Sequence, residues 1–207
     1  SICTAGSLFA LNDPNEKTVR KTISGHITDA ESGESLIGAT LLVKELGVGT
    51  VSNSYGFYSI AIPSGTYTLS FIWGFNEEDN IDGAYPTLNS ASWNWPEMLG
   101  GGYHFLQFDG MYNVDTTASS PFNYHNGTAR VSDGVFEQNF AVIDLDTPIL
   151  ISSDASIEVK MNIAEFFKNP NTWDLNILDT PLMPNYDAQK MMQENVISVF
   201  TIGEISF

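Results

Sequence analysis

Tyr58-Ser-Ile-Ala-Ile-Pro-Ser-Gly-Thr-Tyr-Thr-Leu-Ser-Phe71 alternates apolar and polar residues on either side of a Pro63-Ser-Gly65 break. Tyr58, Ile60 and Ile62 fall on one face, then Tyr67, Leu69 and Phe71, and a period of two marks strands with one side buried. Pro63 fixes its own φ, and Gly65 can take the positive φ of a tight reversal. The pattern extends upstream. Ile23, Gly25 and Ile27 share a face, as do Ala39, Leu41 and Val43. Turn chemistry separates these runs at Asp29-Ala-Glu-Ser-Gly33, Gly47-Val-Gly49 and Asn53-Ser-Tyr-Gly56. Short strands at this spacing predict a small antiparallel β-sandwich over residues 19–72. His26, in a strand beside a turn, reads as a surface residue.

Beyond residue 72 the alternation continues, so the whole chain reads as all-β, with a second, larger β-sandwich-like domain over 73–207. Tyr103 to Phe108 sets His104, Leu106 and Phe108 against Tyr103, Phe105 and Gln107. Phe140 and Val142 oppose Ala141, Ile143 and Leu145, and Ile157, Val159, Met161 and Ile163 make the cleanest run. Helix is confined to two short pieces. Asn162-Ile-Ala-Glu165 has capping-box spacing before Phe166-Phe167. Asp187 to Asn195 sets Ala188, Met191, Met192 and Asn195 at helical spacing, ahead of a strand-like Val196–Ile202.

Charge is uneven. The 207 residues hold 25 Asp and Glu against 8 Lys and Arg, a net of −17. Residues 1–72 contribute four bases and six acids, a net of −2, which leaves −15 for residues 73–207. Such a field repels phosphate backbones and attracts cations, so nucleic acid is excluded as a partner. The same charge also serves solubility. Cys3 is the only cysteine, so no disulfide forms within the chain. No apolar run approaches the roughly 18 residues of a spanning helix. Ser1 to Ala10 reads as the end of a signal peptide cleaved after Ala10, within a leader over residues 1–18. Acylation of Cys3 is the weaker reading, because Ile2 is bulky where a lipobox has a small residue.

Catalytic signatures are missing. Gly100-Gly-Gly102 precedes a strand rather than joining a strand to a helix, which argues against a phosphate loop. There is no nucleophile elbow, and Cys3 lies in the leader. The chain reads as a binding protein and not as an enzyme. Its scarce residues are three histidines, two of them in aromatic, Gly-flanked settings: Gly102-Tyr-His104-Phe and Asn123-Tyr-His125-Asn-Gly127. Two strand-borne imidazoles can share a copper or zinc ion if a third ligand completes the site. By spacing alone they are equally readable as hydrogen-bonded core histidines. Trp73, Trp93 and Trp95 would stack sugars if they stood exposed in a row.

Two family resemblances follow. Ile23-Ser-Gly-His-Ile-Thr-Asp29, Leu36-Ile-Gly-Ala-Thr-Leu-Leu-Val43, Gly49-Thr-Val-Ser-Asn-Ser-Tyr-Gly-Phe-Tyr-Ser-Ile60 and Pro63-Ser-Gly-Thr-Tyr-Thr-Leu-Ser-Phe71 resemble the carboxypeptidase regulatory-like domain. The version they resemble stands at the front of TonB-dependent receptors of the Bacteroidetes type. That resemblance implies a non-catalytic docking module, with outer-membrane receptor components as partners. The second resemblance is to the methanobactin-associated copper-binding (MbnP-like) family. It rests on Gly74-Phe-Asn-Glu-Glu-Asp-Asn80, Tyr85-Pro-Thr-Leu-Asn89, Trp93-Asn-Trp95, Gly102-Tyr-His-Phe-Leu-Gln-Phe-Asp-Gly110, His125-Asn-Gly127, Met161-Asn-Ile163 and Ala188…Asn195…Val199-Phe200.

The second resemblance implies an exported protein of the periplasm, outer membrane or cell surface. It also implies copper held by two histidines and an oxidised tryptophan made by a diheme partner enzyme. Carried over by position, His104 and His125 are the imidazole ligands. Gly102 stands where those relatives place the tryptophan, leaving Trp93 or Trp95 to reach the site by folding, against the simpler expectation of core packing. Met191 and Met192 read as core filler before soft donors, and Asp109 and Asp115 as solvated carboxylates that favour a nearby cation. The opening strands of the MbnP-like pattern are missing before Gly74. Either the front strands complete the rear domain, or the chain joins pieces of two proteins or is a trimmed piece of a longer one.

Overall fold

The computed structural model describes residues 19–29, 33–35, 39–86, 88–113 and 116–207. The leader with Cys3, the turn around Glu31, and Asp115 lie outside the described residues. The front stretch forms β1 (Arg20–Asp29), β2 (Thr40–Val43), β3 (Val48–Val51), β4 (Phe57–Pro63), β5 (Gly65–Tyr67) and β6 (Leu69–Trp73). The rear adds β7 (Leu106–Tyr112), β8 (Ser120–Asn126), β9 (Ala129–Ser132), β10 (Val135–Glu137), β11 (Ala141–Asp144), β12 (Ile149–Ile151), β13 (Ala155–Met161), α1 (Tyr186–Asn195) and β14 (Phe200–Ser206). The fold is all-β and sandwich-like, as the alternation predicts. No described helix is long and apolar enough to cross a membrane.

Its division differs from the expected one. Among the described residues one four-stranded sheet runs β14-β13-β1-β4 and a second β11-β6-β2-β3, so each mixes front and rear strands, while β12-β5, β10-β9 and β7-β8 form two-stranded pairs. β6 itself crosses residue 72, the predicted boundary. Residues 19–72 and 73–207 are therefore not two separate sandwiches, and the front strands complete the rear sheets. Nor is the sandwich wholly antiparallel: β1 pairs with β13 in parallel, Ile23 opposite Ala155 and Ile27 opposite Val159. Each sheet of this kind removes unpaired edges that either half alone would expose.

One core lies between the sheets. Ile23, Ile27, Ile157 and Val159 are almost fully buried, and each such side chain is worth roughly 1.5–3 kcal/mol on burial. Phe71 sits opposite Leu41 on one side and Ile143 on the other. Across the core its ring stacks on Phe200, centroids 3.8 Å apart. Gly25 stands between Ile23 and Ile27 because a Cβ there would lie 1.9 Å from the Ile157 carbonyl oxygen. The Tyr58 hydroxyl uses that gap to donate to the same carbonyl.

Local readings are corrected in three places. Gly65 does not take positive φ; it is small because a Cβ would press on the Tyr67 ring at 2.7–3.1 Å. Val196–Ser198 continues as a 3₁₀ turn, and the strand begins only at Phe200. The Asn162 cap is present, its side chain accepting from Ala164 N–H at 3.1 Å, but it starts a 3₁₀ turn over Ile163–Phe167. The second helix forms as predicted, capped by Asn185, whose side chain accepts from Ala188 N–H at 3.1 Å.

Candidate functional site

His125 lies on β8, opposite Gln107 of β7. His104 is not strand-borne. It follows Tyr103, which makes an isolated bridge to Asn94, and it precedes the first residue of β7. The run Gly100-Gly-Gly102 explains this placement. All three residues have positive φ, 117°, 66° and 83°, which glycine adopts without steric cost. They turn the chain back so that Trp95 N–H donates to the Gly102 carbonyl at 2.8 Å and His104 N–H to the Trp93 carbonyl at 2.9 Å. The Gly-rich run is therefore a reversal that lays His104 against Trp93-Asn-Trp95.

The two imidazoles meet there. Their ring centroids are 5.3 Å apart and the planes cross at 82°. Each ring uses one nitrogen on a protein oxygen: His104 Nδ1 lies 3.2 Å from the Trp93 carbonyl, and His125 Nε2 lies 2.9 Å from Asp109 Oδ1. With those nitrogens donating, His104 Nε2 and His125 Nδ1 keep their lone pairs, and neither has a hydrogen-bond partner among the described residues. His104 is 7% exposed, and burial pushes its imidazole pKa below the ordinary value, although the bond to the Trp93 carbonyl opposes the shift. The shift favours the neutral, ligating form of the ring. The Asn123 side-chain amide, and then His125, hold the Asp109 carboxyl below its usual range.

Trp95 and Trp93 take different roles. Trp95 is 2% exposed, and its ring meets His104 edge-on with centroids 4.8 Å apart. It also covers Gly127, where a Cβ would lie 2.5 Å from the indole. Trp95 therefore packs in the interior and walls the site at once. Trp93 is 38% exposed and reaches His104 through its carbonyl, not its ring. Gly102 cannot carry a tryptophan in this backbone: φ is +83°, and a Cβ would lie 2.2 Å from Asn80 Oδ1. With Trp73 and Trp95 buried, no row of exposed tryptophans exists for sugars. Met192 is buried in the core and Met191 packs against it.

As a metal centre the arrangement is lean. Among the described residues, no group of three or more His, Cys, Asp or Glu side chains gathers to hold an ion. The fit rests on the imidazoles. With bonds of about 2.0–2.1 Å and roughly 1.2 Å more to each ring centre, two imidazoles on one ion have centroids about 4.5–6 Å apart, and 5.3 Å falls within that span. Their remaining nitrogens are bonded as ligating histidines usually are, to a carbonyl and a carboxylate.

Residues that sequence reading missed stand behind this pair. Asn80 Oδ1 accepts from Tyr103 N–H at 2.9 Å, and Asp82 from Gly102 N–H at 2.8 Å, pinning the glycine reversal. Asn126 accepts from the Trp73 indole at 3.0 Å, and Gln189 reaches the same turn from α1. The available signal was Gln189 itself, a polar residue beside the apolar stripe of Ala188 and Met192.

Residues 7–188 match the sequence model of the MbnP family. That match takes in the front strands as well as the rear, in keeping with the interleaved sheets. Comparison with curated proteins finds no match, and comparison with solved structures finds none.

Proposed function

The chain belongs to the MbnP family, and we propose that it is an exported copper-binding protein of the cell envelope, holding one ion between His104 and His125. The observation that carries this reading is the imidazole pair, 5.3 Å between centroids, each ring with its second nitrogen engaged and the other free. Copper stands highest in affinity among the divalent first-row metals at nitrogen sites. Zinc sites ordinarily assemble three or four protein ligands, more than this pair supplies. Bound copper would contribute Lewis-acid and one-electron character. The protein's own part is to present neutral imidazole, wall one side with Trp95, and draw cations by its acidic surface.

No catalysis by the chain itself belongs to this reading. The diheme enzyme that the family resemblance implies as a partner has Trp95, the indole against His104, as its candidate substrate. The other reading, a docking module of an outer-membrane uptake complex, needs the front stretch as a separate unit. Strands shared between front and rear in the two four-stranded sheets favour the copper reading over that one.

The test is copper titration of the protein and of His104→Gln and His125→Gln, with metal content after gel filtration and melting with and without copper. Each change is expected to weaken binding at least tenfold, about 1.4 kcal/mol, and to remove the copper-dependent rise in melting temperature. A wild-type chain that keeps no copper, or variants that keep full affinity, would overturn the proposal.

A further inference from the structure

Gln189 is completely buried on α1. A glutamine amide offers two N–H donors and an oxygen with two lone pairs, and here all four are used. Nε2 donates to the carbonyl of His125 at 2.8 Å and to that of Leu182 at 3.2 Å. Oε1 accepts from Asn126 Nδ2 at 3.1 Å and from Gly127 N–H at 3.2 Å. One side chain thus grips three consecutive residues, His125 to Gly127.

Those residues lead to both halves of the site. The Asn126 carbonyl accepts from Phe105 N–H at 2.7 Å, which ties the residue after His104 to the same turn. Gly127 carries the Trp95 indole, whose other face of contact is His104. A shift of the turn therefore moves His125 directly, and moves His104 through Phe105 and Trp95.

We infer that Gln189 is a positioning residue of the imidazole pair, fixing the separation and crossing angle of His104 and His125 without touching the ion. This inference rests on the proposed copper site. Two imidazoles shared by one ion tolerate little change in spacing, so a loosened turn costs affinity even where the fold survives.

The test uses the full chain with copper(II) chloride as the probe, chelator-competition titration for affinity, and electron paramagnetic resonance for ligand geometry. Gln189→Leu and Gln189→Glu are compared with Asn195→Ala, a control on the same helix. That control removes buried bonds to the Phe166 and Asn171 carbonyls, at 2.8 and 2.9 Å, away from the site. Both Gln189 changes are expected to weaken copper about tenfold, about 1.4 kcal/mol, and to shift the copper hyperfine splitting. Asn195→Ala should melt lower yet keep the wild-type spectrum and affinity. If Gln189→Leu does not fold, Gln189→Glu decides, since it keeps the acceptor for Asn126 and Gly127 but loses the donor to His125.

A folded Gln189 variant with wild-type affinity and spectrum overturns the inference and leaves the imidazole pair standing. Failure of both variants to fold overturns it too, because Gln189 would then serve the fold and not the site. Copper binding indifferent to both histidines overturns the proposed function instead, whatever Gln189 does.

Discussion

His104 and His125 cross at 82° with their ring centroids 5.3 Å apart, one held by a backbone carbonyl and the other by a carboxylate. The asymmetry matters, because the Trp93 carbonyl is a neutral backbone dipole that no side-chain substitution removes, while the Asp109 carboxylate can be changed by mutation. Each partner fixes which nitrogen of its ring carries the proton, and so which one is available to an ion.

Asp109→Asn should separate these contributions. The amide can still occupy the place opposite His125 Nε2 but no longer strengthens the ring as a donor to metal. Copper affinity is expected to fall about tenfold, the low end for loss of such a partner. Stability should scarcely change, since Asp109 is mostly exposed. Isothermal titration paired with melting of the metal-free protein measures both; a large loss of stability would contradict the assignment.

pH should act through His104. Burial lowers its pKa in the folded protein, so below about 6.5, the ordinary histidine value, the unfolded chain binds more protons than the folded one. Stability therefore rises with pH across the window between the lowered folded value and about 6.5, and falls as the solution is acidified through that window. Melting of the metal-free protein from pH 5 to 8 should show this slope, and His104→Gln should flatten it. Copper affinity should fall as the solution is acidified through the same range, because protonation competes with the metal.

Gly102→Ala and Gly134→Ala form a matched pair. Both glycines have positive φ, 83° and 70°, but only Gly102 has a neighbour in the way. Gly134→Ala should cost roughly 1–2 kcal/mol for the left-handed backbone alone. Gly102→Ala should cost more, since the Asn80 amide must move and its bonds to Tyr103 N–H and Thr128 Oγ1 are lost. It should also weaken copper, as Tyr103 leads directly into His104. Chemical denaturation and metal titration of the two variants give the comparison; equal effects would detach the glycine reversal from the site.

Dividing the chain at residue 72 should destroy the fold of both pieces. β13 would lose its parallel partner β1, and β11 would lose β6. Residues 73–207 alone should aggregate or bind a hydrophobic dye without a cooperative melt. A soluble, cooperatively melting fragment would show that the shared strands are dispensable.

The front strands, the strand over Ile157–Met161, the helix ending at Asn195 and the two histidines were legible in the sequence itself. Period-two alternation such as Tyr58, Ile60, Ile62 is local, and so is the Asn162 cap; both follow from the chemistry of a few neighbouring residues. The scarcity of histidine in Gly-flanked aromatic settings was likewise legible. Local pattern could not fix which strands pair, because a strand with one apolar face is satisfied by any partner that completes its hydrogen bonds. That freedom produced the expected boundary at residue 72, where the structure runs β6 straight through.

Only the tertiary structure brought Trp95 onto His104 and Gln189 under His125. Those contacts depend on a three-glycine reversal and on a helix reaching back over sixty residues of chain to the end of β8. The choice between Trp93 and Trp95 was of the same kind: two like residues two positions apart, on either side of the bridge between Asn94 and Tyr103 and in opposite environments. Sequence supplied the two histidines. Close packing, which permits one indole against the imidazole and turns the other outward, decided their surroundings.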